Sequence, residues 1–248
     1  MKSGSESVIE ARAVTKHFGG LTALDGISLC VRADDVIGLI GPNGAGKSTL
    51  FDILAGSAAP DQGQVHWFGE RSLNPTPRKA SFSGIARTFQ LVELFDSMTV
   101  RENVALGGLS RARSMREALG KADPILEWTG LDAYAQLLPS QLSFGRRRRV
   151  ELARALAARP RVLLADEVMA GVSPSEIGEI SSVLATASEH GVAIVVVEHN
   201  LEFVMNFCKS IVVLNRGRII AAGSPEDIAN NDLVVETYIG RSKRRNTL

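Results

Sequence analysis

Nine residues near the start of this chain, GPNGAGKST at 41–49, limit what it can fold into more than any other stretch. They satisfy the pattern G-x-x-x-x-G-K-[S/T] through Gly41, Gly46, Lys47 and Ser48. The apolar, β-branched run VIGLI (36–40) precedes them, and the helix-like KSTLFDILAG follows, ending at Gly56. A strand that runs through a glycine-rich turn into a helix turns several backbone N–H groups towards one point. The helix dipole favours an anion at the same place. Lys47 adds a mobile cation for β- and γ-phosphates, and Ser48 offers an oxygen to Mg²⁺. Gly41, Pro42, Asn43, Gly44, Ala45, Gly46, Lys47, Ser48 and Thr49 are thus the expected nucleotide-binding residues.

The remaining pattern fits a strand–helix alternation. RVLLAD (161–166) and VAIVVVE (192–198) are apolar strands, each preceded by a helical segment, at 145–158 and about 175–189. That order argues for βαβ units around a largely parallel sheet. Residues 6–16, 26–33 and 64–69 read as shorter strands of an antiparallel sheet, with a turn signal DQG at 61–63. Thr99 and Glu102 form a capping-box pattern. Helical patterning continues from there to about 138, with breaks at Gly107–Gly108 and Pro124. The expected fold is α/β: a phosphate-loop core with a mostly parallel sheet, an N-terminal antiparallel β subdomain and an inserted helical subdomain. Its bounds are one domain over 6–240, with 6–90 and 150–240 as core and about 91–149 helical, then a basic tail, 241–248.

Composition removes several alternatives. With 45% apolar and 22% charged residues, the bulk of the chain forms a core and is not disordered. Lys+Arg 28 minus Asp+Glu 27 leaves +1, without the basic excess of a nucleic-acid binder. The run RRRR (146–149) does not alter this, because four successive helical residues point all round the axis. Mixed roles are expected for them, some on acidic groups or nucleotide and some solvated. The tail RSKRRNTL (241–248) reads as a solvated segment. Cys30 and Cys208 lack metal-ligand spacing and suggest no disulfide framework, which fits a reducing compartment. The N-terminal MKSGSESVIE has no apolar segment of a secretory signal. Apolar runs such as VAIVVV (192–197) fall far short of the ~20 residues of a spanning helix, so the chain is not expected to cross a membrane by itself. His17, His66 and His190 have no evident partner and no role is assigned to them.

LLADE (163–167) is an apolar strand ending in two acids, where ligands meet α/β sheets. Asp166 is expected to hold Mg²⁺, through a water, and Glu167 to act as general base on the attacking water. Alone, such an ending also fits a helix cap or a surface turn.

With the phosphate loop, these features resemble the ATP-binding subunits of ABC transporters, over about 6 to 240. LSFGR (142–146) resembles the family signature LSGGQ, with Phe144 at a glycine position and Arg146 for Gln. The resemblance implies that Ser143, Phe144 and Gly145 bind the γ-phosphate held by an opposing subunit; Ser143 as a mere N-cap is the plainer alternative. Gln90 in RTFQ matches the Q-loop glutamine, and His199 in VVVEHN, after a strand, the switch histidine. Phe18 in VTKHFGG matches the aromatic that stacks on adenine, with Ala23 beside the base; a core aromatic is the alternative. The implied catalytic set is Glu167, His199, Lys47 and Gln90, with Ser48, Gln90 and Asp166 on the metal. Val168 stands where the family has Pro, and Ser173 where it has the Asp that couples the two sites.

GIARTFQLVELFDSMTVRENVALGG (84–108), KHFGGLTAL and DLVVETYIG (232–240) resemble the ATPases of branched-chain (hydrophobic) amino-acid importers. That resemblance implies ATP and Mg²⁺ as cofactors and a place at the cytoplasmic face of the membrane. It implies as partners a second ATPase subunit (the same or another), two permeases and, indirectly, an external solute-binding protein, with no nucleic acid. Related branches carry urea or short amides. A soluble family member acting on ribosomes or DNA is a rival from another class, against which stand the single cassette and the lack of sustained heptads. A regulator that binds nucleotide without hydrolysing it is a third, opposed by Glu167.

Overall fold

The computed structural model describes residues 6–88 and 92–239. It divides into two compact units: the described residues up to Pro77 with those from Val195 onward, and Arg78–Ile194 between them.

The first unit opens with β1 (Ser7–Phe18) and β2 (Leu21–Arg32), antiparallel neighbours. Val8, Ile9, Ala11 and Val14 of β1 and Leu24, Ile27 and Val31 of β2 are buried, so both strands turn apolar residues into one core. β3 (Val36–Ile40) is buried at every position, as a run with no polar residue requires. It leads into α1 (Lys47–Leu54), then β4 (Gln62–Trp67) and β5 (Glu70–Arg71), which complete a sheet in the order β2-β1-β4-β5. DQG does not stand apart as a turn: its last two residues already belong to β4. The Trp67 indole N–H donates to the Leu54 carbonyl at 3.1 Å, tying β4 to the end of α1.

In the second unit α2 (Pro77–Ser83) is followed by β6 (Ile85–Arg87), α3 (Val100–Gly108), α4 (Met115–Trp128), α5 (Phe144–Ala157), β7 (Val162–Asp166) and α6 (Pro174–Glu189). β6 and β7 are parallel. The capping box is present: the Glu102 N–H donates to Thr99 Oγ1, and the Glu102 carboxylate takes the Thr99 N–H at 2.7 Å. Val100, Val104, Ala118, Leu126 and Val150 gather in one apolar cluster of α3, α4 and α5. Two helical expectations need correction. Pro124 lies inside α4 and does not break it. The ring displaces one N–H and crowds the carbonyl four residues back, which here belongs to Gly120, and the packed apolar face outweighs that cost. Helix then stops at Trp128, and 132–134 and 139–141 form only short 3-10 turns.

Two of the four arginines meet acids, as expected, but none is fully exposed, so they are less solvated than expected. Arg148 meets Glu151 at 2.8 Å with both side chains buried, Arg149 meets Glu179 at 3.0 Å, and Arg146 lies 4.5 Å over the Tyr134 ring. For Arg146, Arg148 and Arg149 a ring or a carboxylate thus stands at the guanidinium head, although the Nε of Arg146 and that of Arg149 are buried without a hydrogen-bond partner among the described residues.

β8 (Ala193–Val197) crosses the border between the units. The chain then adds α7 (Leu201–Phe207), β9 (Ser210–Asn215), β10 (Arg218–Gly223), α8 (Pro225–Ala229) and α9 (Asp232–Ile239) to the first unit. There the strand order is β10-β9-β3-β8, with β9 parallel to β3. Cys30 and Cys208 are both free thiols. Burial first, then the charge of Glu198, pushes the Cys208 thiol up to about 12, leaving it protonated and unreactive.

Candidate nucleotide site

The phosphate loop leaves β3 through a position only glycine fills. A Cβ on Gly41 would lie 2.2 Å from the Leu214 carbonyl oxygen at the end of β9. Gly46, at φ 106°, occupies a left-handed conformation, and a Cβ there would lie 2.6 Å from the Ala23 carbonyl. Ala23, half-buried, thus packs directly on the loop. Lys47 is 6% exposed, and its ammonium donates to the Gly41 and Pro42 carbonyls at 2.7 and 3.1 Å, closing the loop on itself. Within the loop the Ala45 N–H donates to the Pro42 carbonyl at 3.1 Å, and Leu50 begins the ladder of α1 by donating to Gly46 at 2.9 Å. The first turn of α1 carries no acid, so nothing there competes with a bound anion. Asn43, Gly44 and Ser48 are exposed, and Pro42 and Thr49 half-buried.

Phe18 ends β1 with 56% of its surface exposed, and the Lys16 ammonium lies 5.7 Å from its ring centre. It is no core residue. His199 is exposed, two residues beyond β8, the strand beside β3. Gln90 lies outside the described residues.

The acids belong to the second unit. Asp166 ends β7, buried to 6% exposure, with its Oδ2 accepting from Arg87 at 2.9 Å. Its backbone N–H donates to Thr88 Oγ1 at 3.0 Å. Arg87 and Thr88 escaped the sequence reading, which took only the glutamine from RTFQ. Their signal was a polar Arg-Thr pair closing the short strand Ile85–Arg87, which pairs in parallel with the acidic strand. Glu167 is half-buried at φ 48°. That conformation costs a side-chain-bearing residue on the order of 1–3 kcal/mol and persists only where the surroundings enforce it. Buried Asp166, Val168 and Met169 on either side supply that enforcement. Val168, in place of Pro, is therefore an apolar anchor for the turn.

Ser143 caps α5, accepting from the Arg146 N–H at 3.3 Å, so the cap reading holds. The same hydroxyl donates to Glu176 Oε1 at 2.5 Å, and Ser173 donates to Glu176 Oε2 at 2.7 Å. These two hydroxyls, Ser143 first, hold the Glu176 carboxyl below the usual carboxylate range. Phe144 is 45% exposed and lies against Gly171, while Gly145 is buried beneath the Glu176 carboxylate.

Ser48 in the first unit carries a hydroxyl and Asp166 in the second a carboxylate, each a hard oxygen of the kind magnesium takes. Among the described residues no group of three or more His, Cys, Asp or Glu could hold a metal.

The family model described as "ABC transporter" matches residues 24–170. The chain is 37% identical, over 96% of its length and 100% of the relative's, to the high-affinity branched-chain amino acid transport ATP-binding protein BraF of Pseudomonas aeruginosa. Among solved structures, it resembles the ADP conformation of an ATP-binding cassette of an ABC transporter, with TM-score 0.85 and 31% identity over 95% of this chain and 100% of that one. It also resembles a dimeric ATP-binding cassette in a post-hydrolysis state with ADP and Pi, with TM-score 0.77 and 27% identity over 88% and 98%.

Proposed function

This chain belongs to the ABC transporter family as an ATP-binding, ATP-hydrolysing subunit, and from that premise we propose that it powers an importer of branched-chain or other hydrophobic amino acids. The phosphate cradle carries the nucleotide part of this reading. Lys47 is stored on the loop's own carbonyls, 2.7 Å from Gly41, so it can be handed to phosphate oxygens without crossing solvent. The name of the BraF relative and the likeness of 84–108 to importer ATPases support the substrate.

The working assembly in this reading is two ATPase subunits, this chain with a second copy or a homologue, on two permeases and an external solute-binding protein. The subunit lies against the cytoplasmic face of the membrane. In keeping with a peripheral place, no helix among the described residues is long and apolar enough to cross a membrane.

ATP enters with adenine on Phe18 and Ala23 and its phosphates in the loop from Gly41 to Thr49. Ser48, Asp166 and Gln90 would hold magnesium, which would supply neutralising charge to the phosphates. Arg87 keeps the Asp166 carboxylate aimed. A water oxygen attacks the γ-phosphorus, Glu167 takes the water's proton, and the β–γ bridging oxygen leaves on ADP. Lys47 and His199 stabilise the charge that develops. The partner contributes its own copy of Ser143, Phe144 and Gly145 to the γ-phosphate, so hydrolysis and reopening are linked.

Lys47→Ala removes a charge the backbone cannot replace. Nucleotide affinity should fall at least about tenfold, ~1.4 kcal/mol. Calorimetric titration with ATP checks this, and unchanged affinity would contradict the cradle. Phe18→Ala should lose ~1–3 kcal/mol of affinity if the ring stacks on adenine, and Phe18→Tyr should keep most of it. A fall in Tm with ATP affinity intact would instead make the ring structural. The transport reading is tested by reconstituting the subunit with its permeases and binding protein in vesicles. ATP-dependent uptake of leucine supports it; uptake of urea in place of leucine, or co-purification with ribosomes, rejects it.

A further inference from the structure

We propose that Glu176 is an internal stand-in for the γ-phosphate: in the free subunit its carboxylate occupies the Ser143 hydroxyl and must release it before the partner's nucleotide is received. The proposal rests on the composite-site reading above and adds a residue that the reading does not use.

Ser143 has one hydroxyl hydrogen, and that hydrogen points to Glu176 Oε1 at 2.5 Å. A hydroxyl donating to a carboxylate makes one of the stronger hydrogen bonds a side chain can form. The carboxylate also covers the turn: Cδ, Oε1 and Oε2 all lie 2.5–2.7 Å from where a Cβ of Gly145 would stand. A side chain at 145 would therefore collide with it, and glycine leaves room for an anion in contact with the start of α5. An anion is already there. A phosphate oxygen seeking Ser143 meets both a spent donor and a like charge. The two anions cannot share one hydrogen, so one must withdraw.

Withdrawal also releases the Ser173 hydroxyl just before α6. Ser173 donates to the other oxygen of the same carboxylate at 2.7 Å. Ser173 stands where the family has its coupling Asp, and here it reaches the signature through Glu176. One carboxylate thus joins the start of α5 to the start of α6, and its release frees both. Glu176 is half-buried and Ser143 and Ser173 are exposed, so the exchange needs only side-chain rotation at the surface. The charge facing it from α5 is Arg146, which favours the ionised carboxylate.

The sign of the effect separates this role from that of a brace. A brace, when removed, loosens α5 against α6 and weakens pairing between subunits. A stand-in, when neutralised, lets the partner's phosphate in more easily and tightens pairing. Sedimentation of Glu167→Gln and of Glu167→Gln with Glu176→Gln, each with Mg-ATP, reads the difference. The dimer Kd should fall about tenfold in the double variant, ~1.4 kcal/mol, and Glu176→Ala should act in the same direction. The Tm of the monomer should not move. A double variant that pairs no better, or worse, overturns the proposal. A double variant that pairs where Glu167→Gln alone does not supports it most strongly. If neither pairs although both bind ATP, a composite site between two copies of this chain is ruled out and this proposal falls with it.

Discussion

A Glu167→Gln subunit should bind Mg-ATP as the wild type does and turn it over about 10²–10⁴-fold more slowly. The amide keeps the size of the side chain and removes the negative charge that accepts the water's proton. The backbone there sits at φ 48° between buried neighbours. Loss of rate without loss of binding is therefore the signature of a base, whereas a structural residue would lose both together. Phosphate release and calorimetric titration on the same preparations separate the two, and a rate loss under tenfold would place the base elsewhere.

Arg148→Ala should cost about 3–5 kcal/mol of stability, the usual result of removing one member of a buried ion pair. The guanidinium lies 2.8 Å from the Glu151 carboxylate, with side chains 1% and 2% exposed. Removing it leaves a buried carboxylate without that cation, while pairing Arg148→Met with Glu151→Leu removes both charges and should recover most of the loss. For a chain of this size the single change corresponds to a fall in Tm on the order of 10 °C, measured by calorimetry. Arg148 also stands 5.7 Å from the Phe144 ring, so the destabilised variant should weaken the signature turn as well. A shift of only about 2 °C would show that the pair contributes little.

What was legible in the sequence was local. VIGLI, the turn and the helix after it are set by neighbouring residues, and the structure has the strand at Val36–Ile40 and the helix from Lys47. The capping box at Thr99 and Glu102 spans three residues and was equally readable. Contacts between distant segments were not. Arg87 and Asp166 are 79 positions apart, and only the parallel pairing of β6 with β7 brings them to 2.9 Å. Ser143 and Glu176 are 33 apart, so the serine read as a phosphate ligand or a cap, and its acid partner went unseen. Pro124 misled because proline opposes helix locally, while the buried face of α4 decides globally. The arginine run was readable only in part: helical geometry rules out a single basic face, but Glu151 and Glu179 could not be singled out as the acids that Arg148 and Arg149 meet.

In the mechanism proposed above, each ATP is gripped by one subunit's phosphate loop and the other's Ser143 turn. Size-exclusion chromatography with light scattering tests it on the wild type, on Glu167→Gln, and on Glu167→Gln with Ser143→Arg, each with and without Mg-ATP. The wild type without nucleotide should run as a monomer. Glu167→Gln with Mg-ATP should run as a dimer, and the added arginine, filling the place of the partner's γ-phosphate, should return it to a monomer that still binds ATP. A dimer that survives Ser143→Arg would contradict the account, because the signature turn would then lie away from the nucleotide interface.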